Sequence, residues 1–243
     1  MNRFLILGGD STLAKAFCAV YKDSTIKLSK GKFDVTNTRD LEKVIKNTDA
    51  KYVINCAALT DIEYCEDNPK RCFEVNSIAV ANISRICTKY NKKFIHISSD
   101  YAVMGKNIYG YSKLISEKLV DLKNDLIIRT SFFSLDYCLI KNLLKNEKVT
   151  AYKNMFFNPV SITRLVQEIY MNKNKCGILN IFSSKKISKY DFAKRVAKTY
   201  KIDRKLIKPV NYKAGKVTLP LNSFVKSNIN IDLNRDLKLF SLS

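Results

Sequence analysis

Two tyrosines and a lysine stand close together in the stretch NIYGYSKLISEKL (107–119). Tyr109 lies four residues before Lys113, and Tyr111 lies two before it. On a helix, four-residue spacing puts two side chains on one face. Tyr111 falls about 200° round from Lys113 at 3.6 residues per turn. An ammonium near a phenol favours phenolate and lowers its pKa, and a phenol so tuned can donate a proton near neutral pH. Upstream, SSDY (98–101) supplies two hydroxyls, a carboxylate and a phenol. A serine hydroxyl there can polarise a carbonyl oxygen. These residue types suit proton donation to a carbonyl, with Tyr109 as donor. A Tyr-x-x-x-Lys spacing alone is weak, because chance matches are frequent; the preceding SSDY gives it force.

Such residues need elements to position them. The first half of the chain alternates short apolar runs with helical patterns. RFLILG (3–8), STIKLS (24–29), KYVINCAA (51–58), KFIHIS (93–98) and LIIRTS (126–131) read as strands. Helices are expected over 11–21, over 37–47 with Asn37 or Thr38 as N-cap, over about 69–90, and from about Tyr109. Strands alternating with helices argue for an α/β fold, a Rossmann-type doubly wound parallel sheet covered on both faces. After Ser131 the rhythm loosens. Residues 137–146, 161–173 and 188–201 look helical, the last capped by Ser188, and 177–183 looks like a strand. The tail from Pro209 reads as polar and irregular. The expected organisation is a dinucleotide-binding domain over 1–131, with 132–243 mainly a substrate-binding lobe packed on it and partly interleaved with it.

At 243 residues and 46% hydrophobic composition, the chain suits a globular protein. No run of about 18 apolar residues points to a membrane span, and MNRFLILGGD reads as a first strand rather than a signal peptide; a cytoplasmic protein is expected. The seven cysteines show no C-x-x-C spacing, and His96 is the single histidine. Reduced thiols packed as small hydrophobes, a satisfied core histidine and no metal site are the expectations. The net charge of +21 comes from scattered lysines, not a dense basic block. It therefore argues for a solvated surface and an anionic small substrate rather than nucleic acid.

In an open parallel sheet, ligands bind at the carboxyl ends of the strands. The first such turn is GGDSTLA, Gly8 to Ala14, whose small residues let a backbone approach a pyrophosphate on the helix N-terminus. After the second strand, Ser29 and Lys30 stand where an acidic residue would read the ribose 2′-OH of NAD. A cation there suits a 2′-phosphate, hence NADP, against the alternative of an ordinary loop lysine.

Further blocks carry a resemblance. These are KFDVTN (32–37), VINCAALTDIEYCEDNPKRCFEVN (53–76), HISSDYAV (96–103), YGYSK (109–113) and IRTSFF (128–133). FNPVSITRLVQEI (157–169), GILNIFSSKKISKYDFAKRVA (177–197) and LPLNSFVKSN (219–228) follow in order. Together they resemble the extended short-chain dehydrogenase/reductases, most closely the dTDP-4-dehydrorhamnose reductase family, along nearly the whole chain. The resemblance implies NADPH-dependent reduction of the 4-keto group of a nucleotide-linked deoxysugar, in sugar-nucleotide biosynthesis for surface polysaccharide. It implies Tyr109 as proton donor, Ser99 as the hydroxyl on the keto oxygen, and Lys113 on the nicotinamide ribose. Gly8, Ser11, Thr12, Leu13, Lys30, Asp34, Val35, Ala57, Ala58 and Thr60 would border the cofactor. Thr60, Ile62, Tyr101 and Phe132 would border the sugar. Glu63 and Glu66 match an acidic pair to which no chemistry is assigned. Ser11 and Ala14 stand where the family has glycines, and the 103–108 connection is short. A nucleotide-diphosphate sugar is the implied substrate partner, and a homodimer is compatible with the resemblance. The alternatives are an epimerase of the same superfamily and a non-catalytic NADP-binding regulatory subunit.

Overall fold

The computed structural model describes residues 3–241 except Lys30, Lys32 and Lys216. In chain order the elements are β1 Phe4–Leu7, α1 Thr12–Val20, β2 Thr25–Leu28, α2 Thr38–Asn47 and β3 Tyr52–Asn55. Next come α3 Ile62–Asp67, α4 Pro69–Phe73, a π-helical turn Glu74–Ile78, α5 Ala79–Lys89 and β4 Lys93–Ser99. They are followed by α6 Tyr101–Met104, α7 Ile108–Lys118, β5 Leu126–Thr130, β6 Phe132–Phe133 and α8 Cys138–Leu144. The remainder is β7 Val149–Tyr152, β8 Phe156–Phe157, β9 Val160–Ser161, α9 Ile162–Asn172, β10 Gly177–Ile181, β11 Ile187–Ser188, α10 Lys189–Thr199, β12 Ile207–Val210 and α11 Leu233–Phe240.

The chain divides into two compact units, 1–129 with 168–179, and 130–167 with 180–243. The first holds a six-stranded sheet in the order β10-β5-β4-β3-β1-β2. β1 pairs in parallel with β2 and β3, and β3 with β4. Strand order reverses between β1 and β3, so the turns after these two strands open onto the crevice where such folds bind ligands. Alternate strand residues face opposite ways. Leu5, Leu7, Val53, Phe94 and Ile127 join Leu41 and Ile45 of α2 and Ile83 and Ile86 of α5 in one core. Phe4, on the other face, packs on Phe17 of α1, on Tyr52, and on Tyr170 of α9. Helices thus cover both faces, and the doubly wound α/β fold expected from the strand–helix alternation is the one observed.

The long helix expected over 69–90 is broken by the turn at Glu74–Ile78, where the hydrogen-bonding step lengthens. π-turns of this kind insert one residue and re-aim side chains, often at functional sites. Here the turn carries the fully buried Asn76.

In the second unit, β6 pairs with β9, β7 with β12 and β8 with β11. Phe133 and Phe157 pack on Phe192 of α10, and Phe133 also meets Phe240 of α11. Ser188 caps α10 as expected, its hydroxyl accepting from Asp191 N. The tail is more ordered than its polarity suggests. Asp232 caps α11, whose apolar residues Leu233, Leu237 and Phe240 are buried.

Helix α7 is fixed to the sheet by an ion pair. Both Glu117 carboxylate oxygens receive the Arg129 guanidinium, at 2.6–3.1 Å, and Ser98 Oγ donates to Glu117 Oε1 at 2.6 Å. The Glu117 side chain is only 2% exposed. Removing one partner of such a pair strands a buried charge. Arg129→Leu should therefore cost about 3 kcal/mol or more in urea denaturation; a loss below about 1 kcal/mol would show that Glu117 does not depend on the pair.

Candidate active site

The glycine turn is built around Gly8, whose φ is +81° and whose added Cβ would lie 2.5 Å from Ala57 N. Only glycine fits this approach of the turn to the loop after β3. Ser11 is the N-cap of α1, its hydroxyl accepting from Ala14 N at 3.2 Å. A helix leaves its first N–H groups without intrahelical partners, so those of Thr12 and Leu13 remain suited to an anion. A serine at the middle glycine position thus takes a structural task. The Leu13 side chain is buried in the core and offers a ligand only its backbone. A glycine turn without room for a Cβ, a nine-residue helix behind it and small residues at 57–58 fit a dinucleotide.

After β2, Asp34 is exposed and binds Thr36 and Arg71, while Val35 is buried. The backbone N–H and hydroxyl of Thr36, and after them the Arg71 guanidinium, hold the Asp34 carboxyl below the usual range. Lys30, expected beside the ribose phosphate, lies outside the described residues. The loop after β3 carries Ala57, Ala58 and the exposed Thr60. It is held by Asn76, which accepts from Leu59 N at 2.8 Å and donates to Leu59 O at 2.9 Å. Asn76 also donates to Ser112 Oγ on α7 at 3.0 Å. One buried amide thereby joins the expected cofactor loop to the helix of Tyr109 and Lys113. Ile62 opens α3, capped by Asp61.

The start of α7 is set by three contacts. Asn107 Oδ1 accepts from Gly110 N, and Glu66 Oε1 accepts from Ile108 N, each at 2.8 Å. A Cβ on Gly110 would stand 2.8 Å from Tyr101 O, so glycine there lets α7 close onto α6. Glu66, to which the sequence assigned no chemistry, anchors the helix that carries the tyrosine.

At the carboxyl end of β4, the Ser99 hydroxyl lies close enough to the Tyr109 phenol to favour its phenolate. It also donates to Asp100 Oδ1 at 2.8 Å and accepts from Tyr101 N. The Tyr101 ring meets Tyr109 edge-on at 5.7 Å. Tyr111 is 49% exposed and covers Gly105. The two tyrosines point different ways, as the spacing leads one to expect.

The same spacing misplaces the lysine. Lys113 is 2% exposed. Its Nζ donates to Ile97 O at 2.7 Å and lies 3.2 Å from His96 Nε2. The lysine does not lead in setting the Tyr109 pKa. Contrary to expectation, that pKa is raised, by burial first, with Ser99 opposing and Asp100 adding to the rise. A shared helix face brings two side chains within reach, but a buried lysine nitrogen goes where its hydrogen-bond partners are. Burial pulls Lys113 down to about 8, against an opposing pull from Glu117.

Phe132 lies in β6 of the second unit. That unit also holds a cavity of about 410 Å³ lined by Lys186, Lys194, Arg195, Lys198 and Arg204 together with Ser188 and Asp191; none of the residues expected at the cofactor, the sugar or the proton transfer lines it. All seven cysteines are free thiols. Among the described residues no helix is long and apolar enough to cross a membrane.

Residues 1–228 match the family described as the RmlD substrate binding domain. A probable low-salt glycan biosynthesis reductase of Haloferax volcanii is 36% identical over 115 residues, covering 41% of this chain and 38% of the relative. A dTDP-4-dehydrorhamnose reductase of Mycolicibacterium smegmatis is 31% identical over 138 residues, covering 49% of this chain and 41% of the relative. The chain thus spans under half the length of these two relatives. Among solved structures, a dTDP-4-dehydrorhamnose reductase of Bacillus anthracis in complex with NADP aligns over 99% of both chains with a TM-score of 0.89 and 19% identity, a likeness of fold.

The lowered Lys113 pKa has a consequence for stability. Below about pH 8 the lysine is charged in both the folded and unfolded chains, and the folded state bears the whole cost of burying that charge. Between about 8 and the ordinary 10.5 the folded chain has released a proton that the unfolded chain still holds, so stability rises with pH. The interval corresponds to about 3 kcal/mol. Urea denaturation from pH 7 to 10 should show wild type gaining on Lys113→Met by up to that amount; parallel curves would place the lysine in water.

Proposed function

The chain belongs to the RmlD substrate binding domain family, and on that premise we propose that it is an NADP-dependent oxidoreductase that reduces the 4-keto group of a nucleotide-linked deoxysugar. The observation that carries the reading is the approach of the Ser99 hydroxyl to the Tyr109 phenol at the carboxyl end of β4, one helical turn before Lys113. The named relatives, two of them dTDP-4-dehydrorhamnose reductases and one of these holding NADP, support the same chemistry. Nothing in the second unit needs to react. Its proposed task is to hold the sugar nucleotide; Thr60, Ile62 and Tyr101 are the proposed sugar contacts of the first unit. The proposed setting is the cytoplasm, in sugar-nucleotide supply for surface polysaccharide.

The cofactor would rest on Gly8, Ser11 and the N–H groups of Thr12 and Leu13. Asp34 and Val35 would lie near its adenine, Lys30 near its 2′-phosphate, and Ala57, Ala58, Thr60 and Lys113 along its length. When bound it supplies a hydride to the carbonyl carbon. The chain does the rest. Ser99, its hydroxyl turned from Asp100 when substrate arrives, donates a hydrogen bond to the keto oxygen, and Tyr109 transfers its phenolic proton there as negative charge develops. The raised pKa of Tyr109 keeps that proton in place until an oxygen more basic than a ketone is formed. Lys113 then faces a phenolate, and its charge stabilises it.

Single-turnover NADPH oxidation with saturating dTDP-4-dehydrorhamnose tests the assignment. Tyr109→Phe should lose roughly 10²–10⁴-fold in rate while still binding NADPH. Tyr111→Phe should change by less than about tenfold. An inactive Tyr111→Phe beside an active Tyr109→Phe would show that the wrong tyrosine has been assigned.

A further inference from the structure

His96 is the only histidine in the chain, it is fully buried, and the proposed reaction gives it no task. Its hydrogen bonds can nevertheless be accounted for atom by atom. Ala57 N donates to Asn55 Oδ1 at 3.1 Å, which fixes the Asn55 amide with its NH₂ group toward the imidazole. Asn55 Nδ2 stands 3.4 Å from His96 Nδ1. An amide nitrogen only donates, so Nδ1 must be bare. On the other side, Ser116 Oγ lies 3.1 Å from Nε2. That hydroxyl spends its one proton on Lys113 O at 2.7 Å, so toward the ring it can only accept. Both neighbours demand the same neutral tautomer, with the proton on Nε2. The third atom at Nε2 is Lys113 Nζ, at 3.2 Å.

An ammonium has three donors and no lone pair. Against an Nε2–H it meets donor with donor. An amine fits: it shares the Nε2 proton with Ser116 Oγ, the two standing at 3.2 and 3.1 Å, and still donates to Ile97 O. We propose that His96 is a positioning residue for Lys113, locked by Asn55 and Ser116 with its proton on Nε2, so that the lysine rests against it as the amine and becomes ammonium only on leaving it. In the ammonium form the nitrogen is free to turn toward Tyr109 and the cofactor. The lysine would thus gain or lose a proton near neutral pH instead of carrying a permanent charge. The lowered Lys113 pKa agrees in direction. The other groups that face Lys113 are Glu117 on its own helix, Cys56 after β3 and Cys72 on α4. Glu117 is engaged by Arg129, and burial raises the Cys56 thiol to about 12. None of these supplies the donor at Nζ that His96 does.

The consequence for catalysis rests on the reductase reading; the tautomer does not. A sole histidine gives one imidazole in ¹⁵N-histidine spectra, so protonation of each ring nitrogen can be read directly in the intact protein. The expected result is a neutral ring at about pH 6, protonated at Nε2 and bare at Nδ1. Both signals should shift with a midpoint near 8 that disappears in Lys113→Met. Asn55→Asp, which replaces the donor at Nδ1 by an acceptor, should move the proton to Nδ1; Ser116→Thr, which keeps the hydroxyl, should not. A proton on Nδ1 in wild type, or an imidazolium at about pH 6, overturns the proposal and leaves His96 a plain acceptor for a charged lysine. NADPH affinity, measured in parallel, should fall by up to about tenfold per pH unit above about 8 in wild type, and a pH-independent affinity also counts against the proposal. Absence of NADPH binding at every pH would refute the cofactor reading alone, since the spectra decide the tautomer without it.

Discussion

A lysine nitrogen shut away from water must find all its partners in the protein, and the seam between β4 and α7 is arranged around that need. Lys113 reaches from the helix into the strand and meets Ile97 O and His96 there. Ser116, one turn further along, bonds both the Lys113 carbonyl and the imidazole. Glu117 follows, and its carboxylate is taken up by Arg129 of β5 and Ser98 of β4. A helix whose buried face is this polar cannot slide on the sheet without breaking several buried hydrogen bonds at once. The register that results puts Tyr109 at the end of β4, where Ser99 can meet its phenol.

The opposite end of α7 is held from the other direction. Asn107 and Glu66 satisfy its first N–H groups, and Gly110 allows contact with the Tyr101 carbonyl. Asn76, presented by the π-helical turn, ties Ser112 to the backbone of Leu59. The glycine turn presses on the same loop through Gly8 and Ala57. The parts assigned to cofactor and to proton transfer are therefore one rigid body. This is the arrangement that positional catalysis requires, since small displacements of a reacting group are costly in rate.

Much of this was legible before any coordinates. Five apolar runs and the helices between them place β1 to β5 correctly to within a few residues, because buried parallel strands read as continuous apolar stretches. The placing of Ser99 and Tyr109 at the end of β4, with Tyr111 turned outward, follows from spacing and from ordered motif blocks. Other features have no local signal. The π-helical turn looks like ordinary helix in EVNSI, since its lengthened hydrogen bonds answer to what Asn76 must reach. Glu66 reads as one more surface acid until the fold brings Ile108 N to it. The short helices α3 and α6 fall below the length at which periodicity can be seen. Strands β7 and β12 are missed because each is only four residues long and β12 contains Pro209. Helix α11 hides in a polar tail, although Asp232 and the spacing of Leu233, Leu237 and Phe240 are a cap and a stripe in retrospect. The direction taken by Lys113 was out of reach for a different reason. Helical spacing limits where a side chain can go, but competition among buried acceptors decides where it does go.

The account reduces to one chemical event, hydride to a sugar carbonyl carbon with a proton from Tyr109 to its oxygen. The most direct measurement is mass spectrometry of the product formed from dTDP-4-dehydrorhamnose and NADPH carrying deuterium at the transferable position of its nicotinamide. The account predicts a reduced sugar bearing one deuterium at C4, with none formed by Tyr109→Phe on the same timescale. Tight NADPH binding without deuterium transfer to this or any other nucleotide-linked 4-keto sugar would contradict it, and would leave a binding subunit in place of a reductase.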